Sequence, residues 1–259
     1  MSNDATSYAV TTTLFRLTPA TVRCIGDVHG EAEPFAAAVA AARERGMFVV
    51  QLGDLVDCGP DAPGCLRLMR RLIENRQGLF VRGNHDDRLF RHLAGRSIKP
   101  SRMLDETLRQ LAAAPDGAEL TRWFHEVYPT MPYWLRLGDH LFAHAAFHPD
   151  MLHHAAPEAV PSKRHQSKYR ALALYGETTG AVDEDGFPVR TYGWVDRIPN
   201  GLTVTVGHTI RSRAEPLTVV GALGGRAVFL DTGSGKEGKL SSLDLVPDYE
   251  WTAAEDGAE

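Results

Sequence analysis

The chain has 259 residues, 43% of them hydrophobic and 24% charged, and its 28 Lys and Arg against 33 Asp and Glu leave a net charge of −5. That balance argues against an extended duplex nucleic-acid surface, and no run approaches the ~20 apolar residues that crossing a bilayer demands. The opening stretch MSNDATSYAV has neither the basic nor the apolar part of a secretory signal, and the three cysteines (Cys24, Cys58, Cys65) form no paired framework, so a cytoplasmic location is expected.

In chain order, Thr21-Val22-Arg23-Cys24-Ile25 reads as a strand that stops at Gly26. The alanine-rich stretch from Glu31 to Arg45 reads as a helix ended by Gly46. Phe48 to Leu52 is a second strand. Pro63 opens a helix reaching about Asn75, with Leu66, Met69, Leu72 and Ile73 at helical spacing. Leu79-Phe80-Val81 is a third strand and Asp86 to Leu93 a third helix. Strands separated by helices predict an α/β fold (α+β by some schemes) with a partly parallel sheet. Residues 100–128 carry two apolar stripes and read as helical. Tyr133 to Leu137 and His140 to Ala143 read as paired strands, residues 149–200 as polar, proline-bearing loop, and Leu202 to Val206, Leu217 to Ala222 and Arg226 to Leu230 as closing strands. A single domain over 1–259 is expected, with a core of about 20–248, insertions at about 95–132 and 149–200, and frayed ends at 1–12 and 250–259.

Polar residues collect where apolar strands stop, the usual place for a site in open α/β sheets. The strand ends read Gly26-Asp27-Val28-His29-Gly30, Gly53-Asp54-Leu55-Val56-Asp57, Arg82-Gly83-Asn84-His85-Asp86, Phe142-Ala143-His144 and Val206-Gly207-His208-Thr209. Singly each has a plainer reading: Asp27 as a helix cap, Asp54 in an Asx-turn, Asn84 and His85 as turn residues, His144 and His208 as satisfied core histidines. Together they supply carboxylate, imidazole and amide oxygen, the donors that Mn, Fe, Zn and Ni accept, with no thiolate required. Two such ions held by only two aspartates keep roughly +2 of net charge, which suits a phosphate dianion and its transition state.

These motifs resemble those of the dinuclear metallophosphoesterases, the calcineurin-like superfamily, and within it the serine/threonine protein phosphatase branch. Two longer stretches, GNHDDRLFRHLAGR (83–96) and LYGETTGAVDEDGFPVR (174–190), are most similar to the phosphatase module of bacterial polynucleotide kinase-phosphatases, and LDTGSGKEGKLSSLDL (230–245) resembles the closing strands of bacterial members. The resemblance implies a four-layer sandwich of two mixed β-sheets flanked by helices. It implies that Asp27 and His29 hold one divalent ion, that Asp54 bridges, and that Asn84, His144 and His208 hold the second, manganese being the first expectation and iron, zinc or nickel the others. A hydroxide activated by both ions would attack phosphorus in line, His85 would protonate the leaving oxygen, and Asp57 would orient and charge-balance the His85 imidazole. His148, His153 and His154 compete for the His144 role; His144 is preferred because it directly follows an apolar strand.

Cys58 stands where relatives usually carry an arginine that grips phosphate in bidentate fashion. Arg82, Arg197 and Arg88 are the candidates to compensate, and a nucleophilic thiol is the alternative. Basic residues run through Arg88, Arg91, His92, Arg96, Lys99 and Arg102, and again through PSKRHQSKYR (161–170). No G-x-x-x-x-G-K-[ST] loop is present; GSGKEGK (233–239) lacks that spacing, so the kinase of the resembled enzymes is not expected. The expected activity is metal-dependent phosphoester hydrolysis. Phosphoprotein or general phosphomonoesters are ranked first, RNA-end 2′- or 3′-phosphates or phosphodiesters second and symmetrical cleavage of dinucleoside tetraphosphates third. A catalytically silent metal- or phosphate-binding module is the non-enzyme alternative.

Overall fold

The computed structural model describes residues 21–153, 164–184, 186 and 188–246. Its first part alternates β1 (Val22–Ile25), α1 (Ala32–Glu44), β2 (Phe48–Gln51), α2 (Ala62–Glu74), β3 (Gly78–Phe80) and α3 (Asn84–Leu93). The expected helix 100–128 is two, α4 (Arg102–Ala113) and α5 (Gly117–Val127), separated at Pro115, which cannot continue a helical hydrogen-bond ladder. There follow β4 (Trp134–Leu137), β5 (His140–Ala143), α6 (Arg164–Tyr175), β6 (Glu177–Val182), β7 (Pro188–Thr191), β8 (Thr203–Val206), β9 (Leu217–Val220), β10 (Arg226–Phe229) and β11 (Ser242–Leu245). The loop expected over 149–200 is therefore corrected: within its described part lie a helix of three turns and an antiparallel hairpin in which Glu177 faces Thr191. The expected terminal fraying, His154 and Lys163 lie outside the described residues.

Two mixed sheets form. The first runs β11-β1-β2-β3, with β1, β2 and β3 mutually parallel and β11 antiparallel to β1; the second runs β4-β5-β8-β10-β9, with β5, β8 and β10 parallel and the two edge strands antiparallel. Strands β1, β2 and β3 are buried along their whole length, which is why they read as largely apolar runs, interrupted by Arg23 and Gln51, and not as alternating ones. In the second sheet the pleat alternates. Leu135, Leu137 and Phe142 join the core of the first sheet, together with Phe35 and Val39 of α1 and Leu66, Met69 and Leu72 of α2. Trp134, Leu141, Ala143, Val204, Val206, Ala227 and Phe229 point the other way, against Tyr169, Ala173 and Leu174 of α6 and against Trp194. Two mixed sheets flanked by helices result, the metallophosphoesterase arrangement.

Local chemistry fixes the element ends. Asp61 caps α2 by accepting the Gly64 amide at 2.8 Å, and Pro63 occupies its first turn. Arg23 of β1 grips Asp244 of β11 through two nitrogens at 2.7 and 2.8 Å and reaches the Ala38 carbonyl of α1, so the closing strand is tied to the opening one. Among the described residues no helix is long and apolar enough to cross a membrane.

Candidate metal centre

Each residue expected at the site follows the C-terminal end of a parallel strand: Asp27 and His29 after β1, Asp54 and Asp57 after β2, Asn84 and His85 after β3, His144 after β5, His208 after β8. The two sheets thus aim their strand ends at one point. Asp86, in the first turn of α3, joins them. Its carboxylate accepts the amides of Asp54 (2.7 Å), Leu55 (3.0 Å) and Gly83 (3.3 Å), locking the loop after β2 to the start of α3. Gly83 must be glycine there, since a Cβ would lie 2.2 Å from the Asp54 nitrogen.

The donors converge on Asp54. His29 Nε2 is 3.7 Å from both Asp27 Oδ2 and Asp54 Oδ2. On the other side, His144 Nε2 is 3.4 Å from Asp54 Oδ2, 3.0 Å from Asn84 Oδ1 and 3.0 Å from His208 Nδ1. Two groups of metal-competent atoms share Asp54: His29, Asp54 and His85 in one, Asp54, His144 and His208 in the other. Asp27 is also held by the His208 amide, which donates to both its oxygens at 3.0 and 3.1 Å. Among the described residues, seven that are not glycine have left-handed backbone, and five of these are His29, Asp54, Asp57, Cys58 and His208. Each such residue costs about 1–2 kcal/mol, so the surrounding fold imposes these conformations at the site.

The residues fit divalent cations on three counts. First, the rings are oriented for ligation: His29 Nδ1–H donates to the Val56 carbonyl at 3.1 Å and His144 Nδ1–H to the Leu52 carbonyl at 2.8 Å, so each turns its Nε2 atom inward. Second, His29 Nε2 and His208 Nε2 are buried with no hydrogen-bond partner among the described residues. Third, the charges want a cation. Burial opposes ionisation of Asp27 and, with Asp231 beside it, pushes its carboxyl well above the usual range. Burial likewise drives His29 down to about 3. For Asp54 burial is outweighed by His144 and His85, which hold it well below the usual carboxylate range. His144 is raised to about 9 because Asp54 and Asp27 overcome its burial. A metal ion among these acceptors would take the place of the His144 proton.

Beside the cluster, His85 Nδ1–H donates to Asp57 Oδ2 at 2.6 Å, leaving Nε2 on the Asp54 side at 3.9 Å from its carboxylate. Asp57 is braced by a residue the sequence did not single out. Thr107 of α4 donates its hydroxyl to Asp57 Oδ1 at 2.7 Å and accepts the Asp57 amide at 3.1 Å. Asp231, after β10, is a second one: buried, its Oδ1 accepts the Gly233 amide at 2.9 Å while Oδ2 has no hydrogen-bond partner among the described residues. The strand-end rule applied to Leu230-Asp231-Thr232-Gly233 would have found it.

The arginines divide. Arg82 is buried, donates to the Met131 and Pro129 carbonyls at 2.7 and 2.6 Å, and lies over the rings of Tyr128 and Tyr133. The expectation that it binds substrate is corrected: it is a brace for the segment leading into β4. Arg197 pairs with Glu177 of β6. Arg88 is at the site, 3.8 Å from Asp57 Oδ2 and bonded to Ser101 at 3.1 Å. Arg190 of β7, not anticipated, donates to the Tyr175 carbonyl at 2.6 Å, and its charge bears on both His208 and Asp54. Cys58 is half-buried against Met103, and burial pushes its thiol up to about 11, away from the thiolate a nucleophile needs. His148 makes a local contact with Asp150, and His153 is exposed at the end of a short turn.

Residues 20–196 match the family described as calcineurin-like phosphoesterase. The chain is 28% identical to a bis(5'-nucleosyl)-tetraphosphatase PrpE [asymmetrical] of Geobacillus thermodenitrificans, over 85% of this chain and 88% of that protein. It is 26% identical to its namesake from Halalkalibacterium halodurans, over 88% and 91%. In fold it is similar to a putative diadenosine tetraphosphatase (21% identity, TM-score 0.55, 90% of this chain and 91% of that one). A Saccharomyces cerevisiae protein serine/threonine phosphatase with similarity to human PP5 is also similar (15% identity, TM-score 0.54, 95% and 84%). The chain belongs to the calcineurin-like phosphoesterase family, hydrolases of phosphoric esters whose fold works with divalent metal ions.

Proposed function

We propose that this chain is a hydrolase of nucleoside polyphosphates, with dinucleoside tetraphosphates cleaved asymmetrically as its first substrate. The observation that carries this reading is the likeness to enzymes of that name over 85% of the chain. It is supported by cationic side chains from two separate elements, Arg88 of α3 at 3.8 Å from Asp57 and Arg190 of β7, whose charge acts on His208, suited to a chain of several phosphates. The expectation from sequence, phosphoprotein first and symmetrical tetraphosphate cleavage third, is changed accordingly in both order and mode of cleavage.

In this reading Asp27, His29 and Asp54 would hold one ion, and Asp54, Asn84, His144 and His208 would hold the other. Oxygen and imidazole donors suit manganese, the first expectation, and equally iron, zinc or nickel. When bound, the two ions supply Lewis acidity and neutralise charge at the phosphoryl group. His85 delivers a proton from Nε2 to the leaving oxygen while Asp57, itself held by Thr107, fixes the ring. Arg88 and Arg190 orient the remaining phosphates. A cytoplasmic setting fits the three free cysteines, Cys24, Cys58 and Cys65.

The test is a rate comparison on the manganese-loaded chain with diadenosine tetraphosphate, a phosphoserine peptide and a 3′-phosphate nucleotide, followed by product analysis. Mono- plus triphosphate products at the highest rate are expected. Two diphosphates, or faster turnover of the peptide or the 3′-phosphate, would overturn the substrate assignment.

A further inference from the structure

We propose that Lys236 is the phosphate clamp of this site, the cation that grips non-bridging oxygens of the scissile phosphoryl group where Cys58 offers none. The inference rests on phosphoester hydrolysis at this centre and not on which nucleotide is cleaved.

Cys58 projects no charge, Arg82 is committed to carbonyls, and Arg197 is paired with Glu177. The chain supplies another cation from an unexpected place. Leaving β10 of the second sheet to reach β11 of the first, it passes directly across the metal centre. Gly235 lies so close that a Cβ there would sit 2.8 Å from His29 Cβ and 3.2 Å from Cys58 Cβ. The next residue is Lys236, in the GSGKEGK stretch whose spacing rules out a nucleotide-binding loop.

This crossing segment is tightly fixed. Ser234 donates its hydroxyl to the Val28 carbonyl at 2.9 Å, and the amides of Lys236 and Gly238 both donate to the Gly233 carbonyl at 2.9 and 2.8 Å. Thr232 donates to the Lys239 carbonyl at 2.6 Å, and Arg213 donates to the carbonyl of Lys236 itself. A pinned backbone presents the lysine stem from a defined origin, which compensates for the flexibility that makes lysine a poorer clamp than arginine.

The Lys236 side chain is half-buried and forms no ion pair among the described residues. Its stem starts directly after Gly235, the residue packed on His29 and Cys58, and its charge acts on Cys58, His29, His208, Asp27 and Asp231. Once the carboxylates are matched by metal ions, the anion left for this lysine to meet is the substrate phosphate.

The experiment uses the full manganese-loaded chain and p-nitrophenyl phosphate, with inorganic phosphate as competitive inhibitor. Neither probe carries a nucleoside, so the outcome is independent of the tetraphosphate assignment. Lys236→Met and Lys236→Gln should raise the phosphate inhibition constant and KM on the order of 10- to 100-fold, the scale of one charge-assisted hydrogen bond, with kcat changed less. Bound manganese should stay full. Lys236→Arg should retain binding, and adding Cys58→Arg to Lys236→Met should recover most of the loss, which a purely structural lysine would not allow. Constants within twofold of the parent in both neutral variants would overturn the proposal. Loss of manganese, or insolubility of both neutral variants, would also overturn it: removing a positive charge beside two cations can only favour those cations, so the loop and not its charge would then be what matters. Failure of Cys58→Arg to recover binding, with manganese full, counts against it equally.

Discussion

Thr107→Val separates the proton-delivery role of His85 from metal binding. The Thr107 side chain is 1% exposed, and its hydroxyl serves Asp57 twice, as donor to Oδ1 at 2.7 Å and as acceptor of the amide at 3.1 Å. Valine keeps the branched shape and removes both bonds. Asp57 then keeps the His85 imidazole at 2.6 Å and the more distant Arg88 at 3.8 Å. A hydrogen bond to a charged group is worth about 1.5–3 kcal/mol, which converts to roughly 10- to 150-fold in rate if the whole of it serves to position the ring. The assay compares kcat/KM for an alkyl phosphate, whose leaving oxygen needs a proton, with p-nitrophenyl phosphate, whose leaving group departs as a stable anion. The alkyl ester should lose activity on the scale just given, the nitrophenyl ester less than about threefold, and Thr107→Ser should restore the former. Equal losses on both substrates would refute the chain of positioning from Thr107 through Asp57 to His85.

Three further outcomes are expected. His85→Ala should reduce turnover of alkyl phosphates by roughly 10²–10⁴, the usual scale of general acid catalysis, and spare p-nitrophenyl phosphate; an even loss would remove the acid role. Gly83→Ala, which drives a Cβ to 2.2 Å from the Asp54 nitrogen, should abolish manganese binding measured by elemental analysis, and full occupancy would show that the turn can yield. In chelated protein, the Cys58 thiol at about 11 stays protonated through neutral pH, so its alkylation rate should climb about tenfold per pH unit from 7 to 10; a plateau near 8.5 would show an ordinary thiol.

Much of this architecture is legible in the chain because β1, β2 and β3 are short apolar runs that stop at glycine and are followed by helical periodicity. Their ends carry Asp27, Asp54 and Asn84, so the donors announce themselves by position. The hairpin β6–β7 does not: Glu177 to Val182 is half-buried at its first residue and exposed at the rest, so no period-2 alternation marks it, and Arg190 is lost with it. Helix α6 is equally quiet, its apolar residues crowded into Ala171-Leu172-Ala173-Leu174-Tyr175 without a lengthwise stripe. Thr107 sits among the apolar residues of α4, where a hydroxyl looks like a tolerated substitution until Asp57 is seen against it. Lys236 lies in a glycine-bearing turn, a composition shared with any solvated loop, and only the crossing between sheets brings its backbone beside the centre. Arg82 misleads in the opposite sense, since adjacency in sequence to Gly83 and Asn84 says nothing of the direction in which a long side chain leaves the backbone.

The donors after β1, β2 and β3 belong to one sheet and those after β5 and β8 to the other, so an ion held by Asp54 and Asn84 together with His144 and His208 would act as a rivet through the seam of the sandwich. Prying the leaves apart then requires extracting metal first. At a free ion concentration about one hundred times the dissociation constant, such a rivet resists separation by ~2.7 kcal/mol. Resistance to heat would therefore follow the supply of manganese, and a cell starved of the ion would hold a looser protein as well as an idle one.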